Sequence, residues 1–125
     1  MPHCKKAARI LGGKVKSCSR TRCEVTKERH LHATILGRDY ETDQEFVFES
    51  IDQKGRTLNT VEFTVLQQEV NPLIDALRKY GFKVTAVHNH WLFDQPRLMY
   101  VHAENVENPY VAAEMLSKVL TVLEN

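Results

Sequence analysis

The chain contains no apolar run approaching the roughly 20 residues that a membrane helix needs, so no membrane partner is expected. It carries no G-x-x-x-x-G-K-[ST], no G-x-G-x-x-G, no nucleophile elbow and no H-E-x-x-H. Nucleotide hydrolysis, Rossmann redox chemistry and standard serine hydrolysis therefore lack their signatures. No nucleotide cofactor is expected. The basic N-terminus has no apolar core of a secretory signal, which makes the cytoplasm the expected location. Cysteine is sparse, at Cys4, Cys18 and Cys23 only. The number is odd and the spacing is neither C-x-x-C nor that of a finger. Three reduced thiols are the default for a cytosolic chain. Pairing of Cys18 with Cys23, or their joint binding of a soft metal, is the alternative.

What is present suits one compact α+β domain over residues 1–125, with 42% hydrophobic and 26% charged residues. The net charge of +1 conceals an asymmetry. Residues 1–29 hold nine Lys or Arg against Glu24 and Glu28, or +7, and the remainder carries −6. A basic arm on an acidic body suits phosphate or an acidic partner. The simpler reading is that the arm folds against its own body. Nucleic acid is not the favoured partner, because the arm has no aromatic residue for base stacking.

The periodicities place the elements. Helix formers followed by paired glycines predict a short N-terminal helix ending near Leu11. Residues 14–26 lean towards strand. Leu31, Ala33 and Ile35 alternate with His30, His32 and Thr34, a strand ended by Gly37. Phe46 and Phe48 share one strand face, and "DQKG" at 52–55 reads as a hairpin turn. Val61, Phe63 and Val65 alternate with Glu62 and Thr64. Asn71 and Pro72 suit the N-cap and first position of a helix capped by Gly81. A hairpin over 83–93 and 97–104, turned by "DQP", comes next. Asn108 and Pro109 open a last helix with the stripe Ala112, Met115, Leu116, Val119, Leu120 and Leu123. The order is strands, helix, strand, strand, helix: a mainly antiparallel sheet with helices packed on it.

The hairpin carries His88, His90 and His102. Alternation puts His88 and His90 on one face, about 7 Å apart by strand rise. A hairpin symmetric about Gln95 sets His88 opposite His102 and His90 opposite Tyr100, with paired Cβ atoms about 5 Å apart. Three imidazoles then converge on one face, a donor set that suits Zn²⁺ or another divalent transition metal. A slip of one residue would move His102 to the other face and abolish the cluster. Val84, Ala86, Leu92 and Leu98 share that face, so the competing expectation is a set of packed histidines under a helix. Glu69, before the helix, and Glu62, on the preceding strand, are the candidate fourth ligands or general bases, with Glu69 preferred. Trp91 is expected on the opposite face. Arg97 is expected as a solvated turn residue.

The stretch "EVNPLIDALRKYGFKVTAVHNHWLFDQPRLMYVHAE" resembles the LppY/LpqO family, a domain of unknown function that includes mycobacterial lipoproteins. The resemblance rests on Glu69, Val70, Asn71, Pro72, Gly81, Thr85, Ala86, His88, Asn89, His90, Pro96, Arg97 and His102. It covers about forty residues. The chain departs from the pattern at Thr60 to Phe63, where the family carries a glycine-aspartate pair. The resemblance implies that the three histidines belong to one site, and it brings no established activity.

Three readings follow. The first is a pocket for a metal or small ligand, lined by His88, His90 and His102, with metal-assisted hydrolysis and Glu69 as base. The second is a non-catalytic regulatory module whose basic arm (Lys5, Lys6 and Arg9) contacts an anionic partner. The third is an oligomeric scaffold in which the histidines only pack.

Overall fold

The computed structural model describes residues 3–123. Helix α1 (Cys4–Leu11) buries Cys4, Ala7, Ala8 and Leu11, spaced to share one face, and ends at Gly12 in the left-handed conformation. Strands β1 (Lys14–Cys18) and β2 (Arg22–Glu28) follow. Next come β3 (Ala33–Ile35), β4 (Arg38–Tyr40), β5 (Asp43–Glu49) and β6 (Thr57–Leu66). A 3₁₀ turn (Gln67–Glu69) leads into α2 (Val70–Lys79). The chain closes with β7 (Lys83–His88), β8 (Asp94–Gln95), β9 (Leu98–Glu107) and α3 (Pro109–Val119), followed by a second 3₁₀ turn.

Six strands form one antiparallel sheet in the order β1-β2-β5-β6-β9-β7, and β4-β3-β8 form a smaller one. The α+β class and the helices packed on the sheet are as expected. All three helices cover one face of the large sheet. Strict alternation decides which side chains they meet. Val25, Phe46, Phe48, Val61, Phe63 and Val65 point inward to Leu73, Leu77, Ala112, Leu116 and Val119 in one core. Phe46 and Phe63 meet edge to face at 5.9 Å. Each ring is fully buried, which stabilises the fold by about 2–3 kcal/mol per side chain.

Four expectations change. The strand over residues 30–36 shrinks to Ala33–Ile35 and joins the small sheet, not the large one. Helix α2 begins at Val70, because the 3₁₀ turn runs straight into it. Asn71 therefore lies inside the first turn and is not the cap. Pro72 is also inside that turn, where its missing N–H breaks no helical bond. Asn108 does cap α3, accepting from the amides of Tyr110 at 2.9 Å and Val111 at 3.2 Å. Finally, the cysteines are not three thiols. Cys4 on α1 is bonded to Cys18 on β1, and Cys23 is free and buried. Cys23 faces the core, so its pairing with Cys18 does not form. Disulfides persist in oxidising compartments.

The basic N-terminal segment is α1, β1 and β2 themselves. Lys16 meets Glu24 at 3.3 Å and Glu45 at 3.4 Å, and Arg22 meets Glu24 at 2.8 Å. No helix of the described residues is long and apolar enough to cross a membrane.

Candidate metal centre

The outer face of the large sheet, away from the helices, is polar. Register places Glu62 of β6 directly opposite His102 of β9, and Thr64 opposite Tyr100. Glu45 of β5 stands opposite Glu62 on its other side. The small sheet covers one end of this face, where Ala33 packs on Leu98 and Tyr100.

His88 and His102 are directed to this face by a bulge. Val84 pairs with Ala103, whose side chain lies in the helix-covered core, and Val84 packs there too. Ala86 then pairs with His102 and His88 with Tyr100, so Thr85 is one residue too many. The extra residue turns the rest of β7 over, and His88 emerges on the outer face. The expected grouping of Val84 with His88 is therefore wrong, and among the described residues no helix lies over the histidines.

The register also differs from a turn symmetric about Gln95. His88 faces Tyr100 and not His102. The offset is two residues, which preserves the face. Residues 89–97 make no tight turn. Instead β8 within them pairs with β3. Arg97 is partly exposed and also bonded: its Nη1 donates to the Trp91 carbonyl at 2.7 Å and its Nη2 to that of Leu92 at 3.2 Å. This closes the loop bearing His90. Trp91 stands beside the site, edge-on to His90 at 6.1 Å and to Tyr40 at 5.7 Å.

His88, His90 and His102 each offer one ligand nitrogen, and these atoms all lie within 4.8 Å of one another. The two imidazoles on strands are half-buried, and that of His90 is exposed. The His90 ring stacks on Tyr100 at 3.8 Å and on His88 at 4.9 Å. His88 Nδ1 lies 3.3 Å from the Asn89 carbonyl, which can only accept. That contact fits the tautomer with N–H at Nδ1, which leaves the Nε2 lone pair free. His88 Nε2 is 3.1 Å from His102 Nε2, which in turn is 3.2 Å from Glu62 Oε2. In that tautomer two lone-pair atoms, His88 Nε2 and Glu62 Oε2, converge on His102 Nε2, and a single N–H serves both poorly.

Glu69 is elsewhere. Its carboxylate is buried and receives Arg29 Nη1 at 2.7 Å, Arg29 Nη2 at 2.9 Å and the Leu66 amide at 2.8 Å. It takes no part in the histidine group. A carboxylate whose two oxygens are taken up by a buried guanidinium and an amide has little left to offer a metal or a proton donor. Of the two carboxylates expected near the site, the structure brings only Glu62 to the histidines. The second pair, His30 and His32, is exposed, and His32 lies 3.9 Å from Asp39.

Beside the histidines is a hollow of about 410 Å³. Its acids are Asp39, Glu41, Asp43, Glu45 and Glu62, and its rings are Tyr40, His90 and Tyr100. Burial, then the charges of Glu41, Glu28 and Glu45, hold the Asp43 carboxyl above its ordinary range. Burial, with the neighbouring Tyr40, pushes the Tyr100 phenol up to about 12. The neighbouring Trp91 and Tyr40 side chains also act on that acidity. Sequence reasoning missed these acids. Asp43 and Glu45 alternate on β5 as the histidines do, but nothing local showed which strand would lie beside β6.

No curated protein and no solved structure matches the chain. A family match covers nearly all of it, from the second residue of α1 to the end of the last 3₁₀ turn. The chain belongs to the family described as Domain of Unknown Function (DUF1259), matched over residues 5–122.

Proposed function

We propose that this protein binds Zn²⁺ or another divalent transition metal through His88, His90 and His102 and uses it for metal-assisted hydrolysis. One observation carries the reading: His88 Nε2 and Glu62 Oε2 converge on His102 Nε2 at 3.1 and 3.2 Å. Adjacent ligands of a tetrahedral zinc ion, bonded at about 2.0–2.1 Å, are separated by about 3.4 Å. The spacing of the two strand histidines is close to that value. His90 is exposed and on a loop, so its ring has room to close the third position. A cation there takes the lone pairs that one proton serves poorly.

In this reading Glu62 takes the part first given to Glu69. It stands on the ligand side of His102, where it would accept a proton from water or fill a fourth position. A metal held there would supply Lewis acidity, and the open outer face admits a substrate. The likeness to the LppY/LpqO pattern supports grouping the three histidines. The basic-arm reading draws less support, since Lys16, Arg22 and Arg29 already face carboxylates of the same chain.

The test is elemental analysis of tag-free protein loaded with zinc and passed over a desalting column. One equivalent is expected, lost in both His88→Ala and His102→Ala. Glu62→Gln should keep the metal and lower hydrolysis of an activated ester by about 10²–10⁴. Absence of metal from the folded wild type would sink the proposal.

A further inference from the structure

We propose that the end of the molecule formed by the β3–β4 turn and the loop before β8 docks on the surface of a lipid bilayer. Leu36, Leu92 and Phe93 are 77%, 74% and 69% exposed, more than any other large apolar side chain of the described residues. A single exposed leucine is ordinary, but the three most exposed apolar side chains gathered at one place are not. The Leu36 amide donates to the Phe93 carbonyl at 3.3 Å, which joins the two tips. Tyr40 stands further back on the hairpin, opposite Ala33, and its ring meets that of Trp91 edge to face at 5.7 Å. The backbone holds this patch open. Leu36 and Gly37 make a two-residue turn between Ile35 and Arg38, at φ 49° and 78°. Such turns favour asparagine, aspartate or glycine at the first position, because a larger side chain is strained there. Leucine takes that place here and points its side chain into solvent. A residue that breaks a local rule without a packing gain in its own chain marks a functional position. The second tip is also fixed. Asn89 Nδ2 and Arg97 Nη1 donate to the Trp91 carbonyl at 2.9 and 2.7 Å, and Arg97 Nη2 donates to that of Leu92 at 3.2 Å.

Three features select a bilayer as the occupant. The first is area. Five side chains at these exposures present on the order of 500 Å². A stable protein interface takes about 800 Å² from each partner. The second is shape. The apolar groups project from turn tips, and a second copy would offer the same projecting tips, which cannot cover one another. Acyl chains flow round either. The third is the order of the groups. Leu36, Leu92 and Phe93, with no polar side-chain atom, form the tips. Tyr40 and Trp91, each with one polar atom on its ring, stand beside them. Across a membrane interface apolar groups likewise enter among the acyl chains, while Trp and Tyr lie at the headgroups. Arg38 and Asp39, both exposed on β4, are of opposite sign, so contact does not depend on anionic lipid. The expectation of no membrane partner rested on the lack of a spanning run, and contact at a surface needs none. Docking does not rest on the hydrolytic reading.

Trp91 is the only tryptophan of the chain, so its fluorescence reports on this place alone. The test titrates EDTA-treated, tag-free protein with phosphatidylcholine vesicles and follows that emission together with co-sedimentation. Because the protein is metal-free, the outcome is independent of whether the histidines bind zinc. A blue shift, protection from acrylamide and sedimentation with the vesicles are expected, and about 0.5 M sodium chloride should not reverse them. Leu36→Asn should weaken partitioning by about tenfold. It should keep or raise the urea midpoint, since asparagine suits the turn. Leu92→Ser combined with Phe93→Ser should leave no measurable partitioning. No shift and no sedimentation at millimolar lipid overturns the proposal, as does partitioning that the folded variants retain. Binding only to vesicles that contain phosphatidylserine, lost in salt, overturns it in favour of adsorption through the basic N-terminal strands. A lipid-free dimer that Leu36→Asn dissociates gives the patch to a second copy and overturns it too.

Discussion

Glu69 shows how far a residue's setting outweighs its neighbourhood in sequence. It stands at the entrance of α2, a short way before the histidine hairpin, and looked like a catalytic base. Its partner is Arg29, 40 positions earlier, joined through two hydrogen bonds in a buried site. Arg29 Nη1 also donates to the Thr64 carbonyl at 3.0 Å, which ties β6 to the end of β2. Removing one member of such a pair strands a buried charge. Glu69→Ala is therefore expected to destabilise the protein by about 3–5 kcal/mol in urea denaturation. The folded fraction should still bind zinc one to one. Loss of zinc without loss of stability would return Glu69 to the site. Glu62, by contrast, ranked second to Glu69 as ligand or base because its neighbour across the sheet was unknown.

At the scale of the element, β7 carries the decisive detail. Alternation was legible and correctly placed His88 and His102 on one face. The reason differs from the one alternation implied. Val84 and Ala86 were expected on the same side as His88, but the bulge at Thr85 separates Val84 from them. A bulge leaves little local signature, since Thr85 is an ordinary strand residue. The Gln95-centred register was off by two because residues 89–97 pair with β3 instead of turning back at once. Deleting Thr85 should slip the strand and drive His88 towards the helix-covered face. The expected result is loss of stoichiometric zinc with most of the secondary structure retained, measured by elemental analysis and circular dichroism. Retention of zinc in the deletion variant would show that the bulge does not aim the site.

At the scale of the whole molecule, the division of labour between faces follows from the sheet. Helices α1, α2 and α3 take the inner face and leave the outer face free for acids, rings and histidines. Helix α1 is tied to this body by the Cys4–Cys18 bond, with the two positions separated by 14 residues. Closing a loop of that size removes about 3 kcal/mol of unfolded-state freedom. Thiol titration of the denatured, unreduced protein should find one reactive cysteine, Cys23, and three after reduction. Dithiothreitol should lower the urea midpoint accordingly. Three thiols before reduction would show that the bond is absent in solution.

The sequence by itself determined the α+β class, the three helices and the core strands. Each of these rests on a local signal: a 3.6-residue period for the stripe of α3, a period of two for Phe46, Phe48, Val61 and Phe63, and end signals such as the glycine pair after α1 and Asn108. Tertiary structure alone decided what stands beside the histidines. Glu62 meets His102, Asp43 and Glu45 join the hollow, Arg29 claims Glu69, and Cys4 finds Cys18. These are contacts between segments far apart in the chain. They are set by strand order, register and one extra residue in β7, and none of those leaves a period for the sequence to reveal.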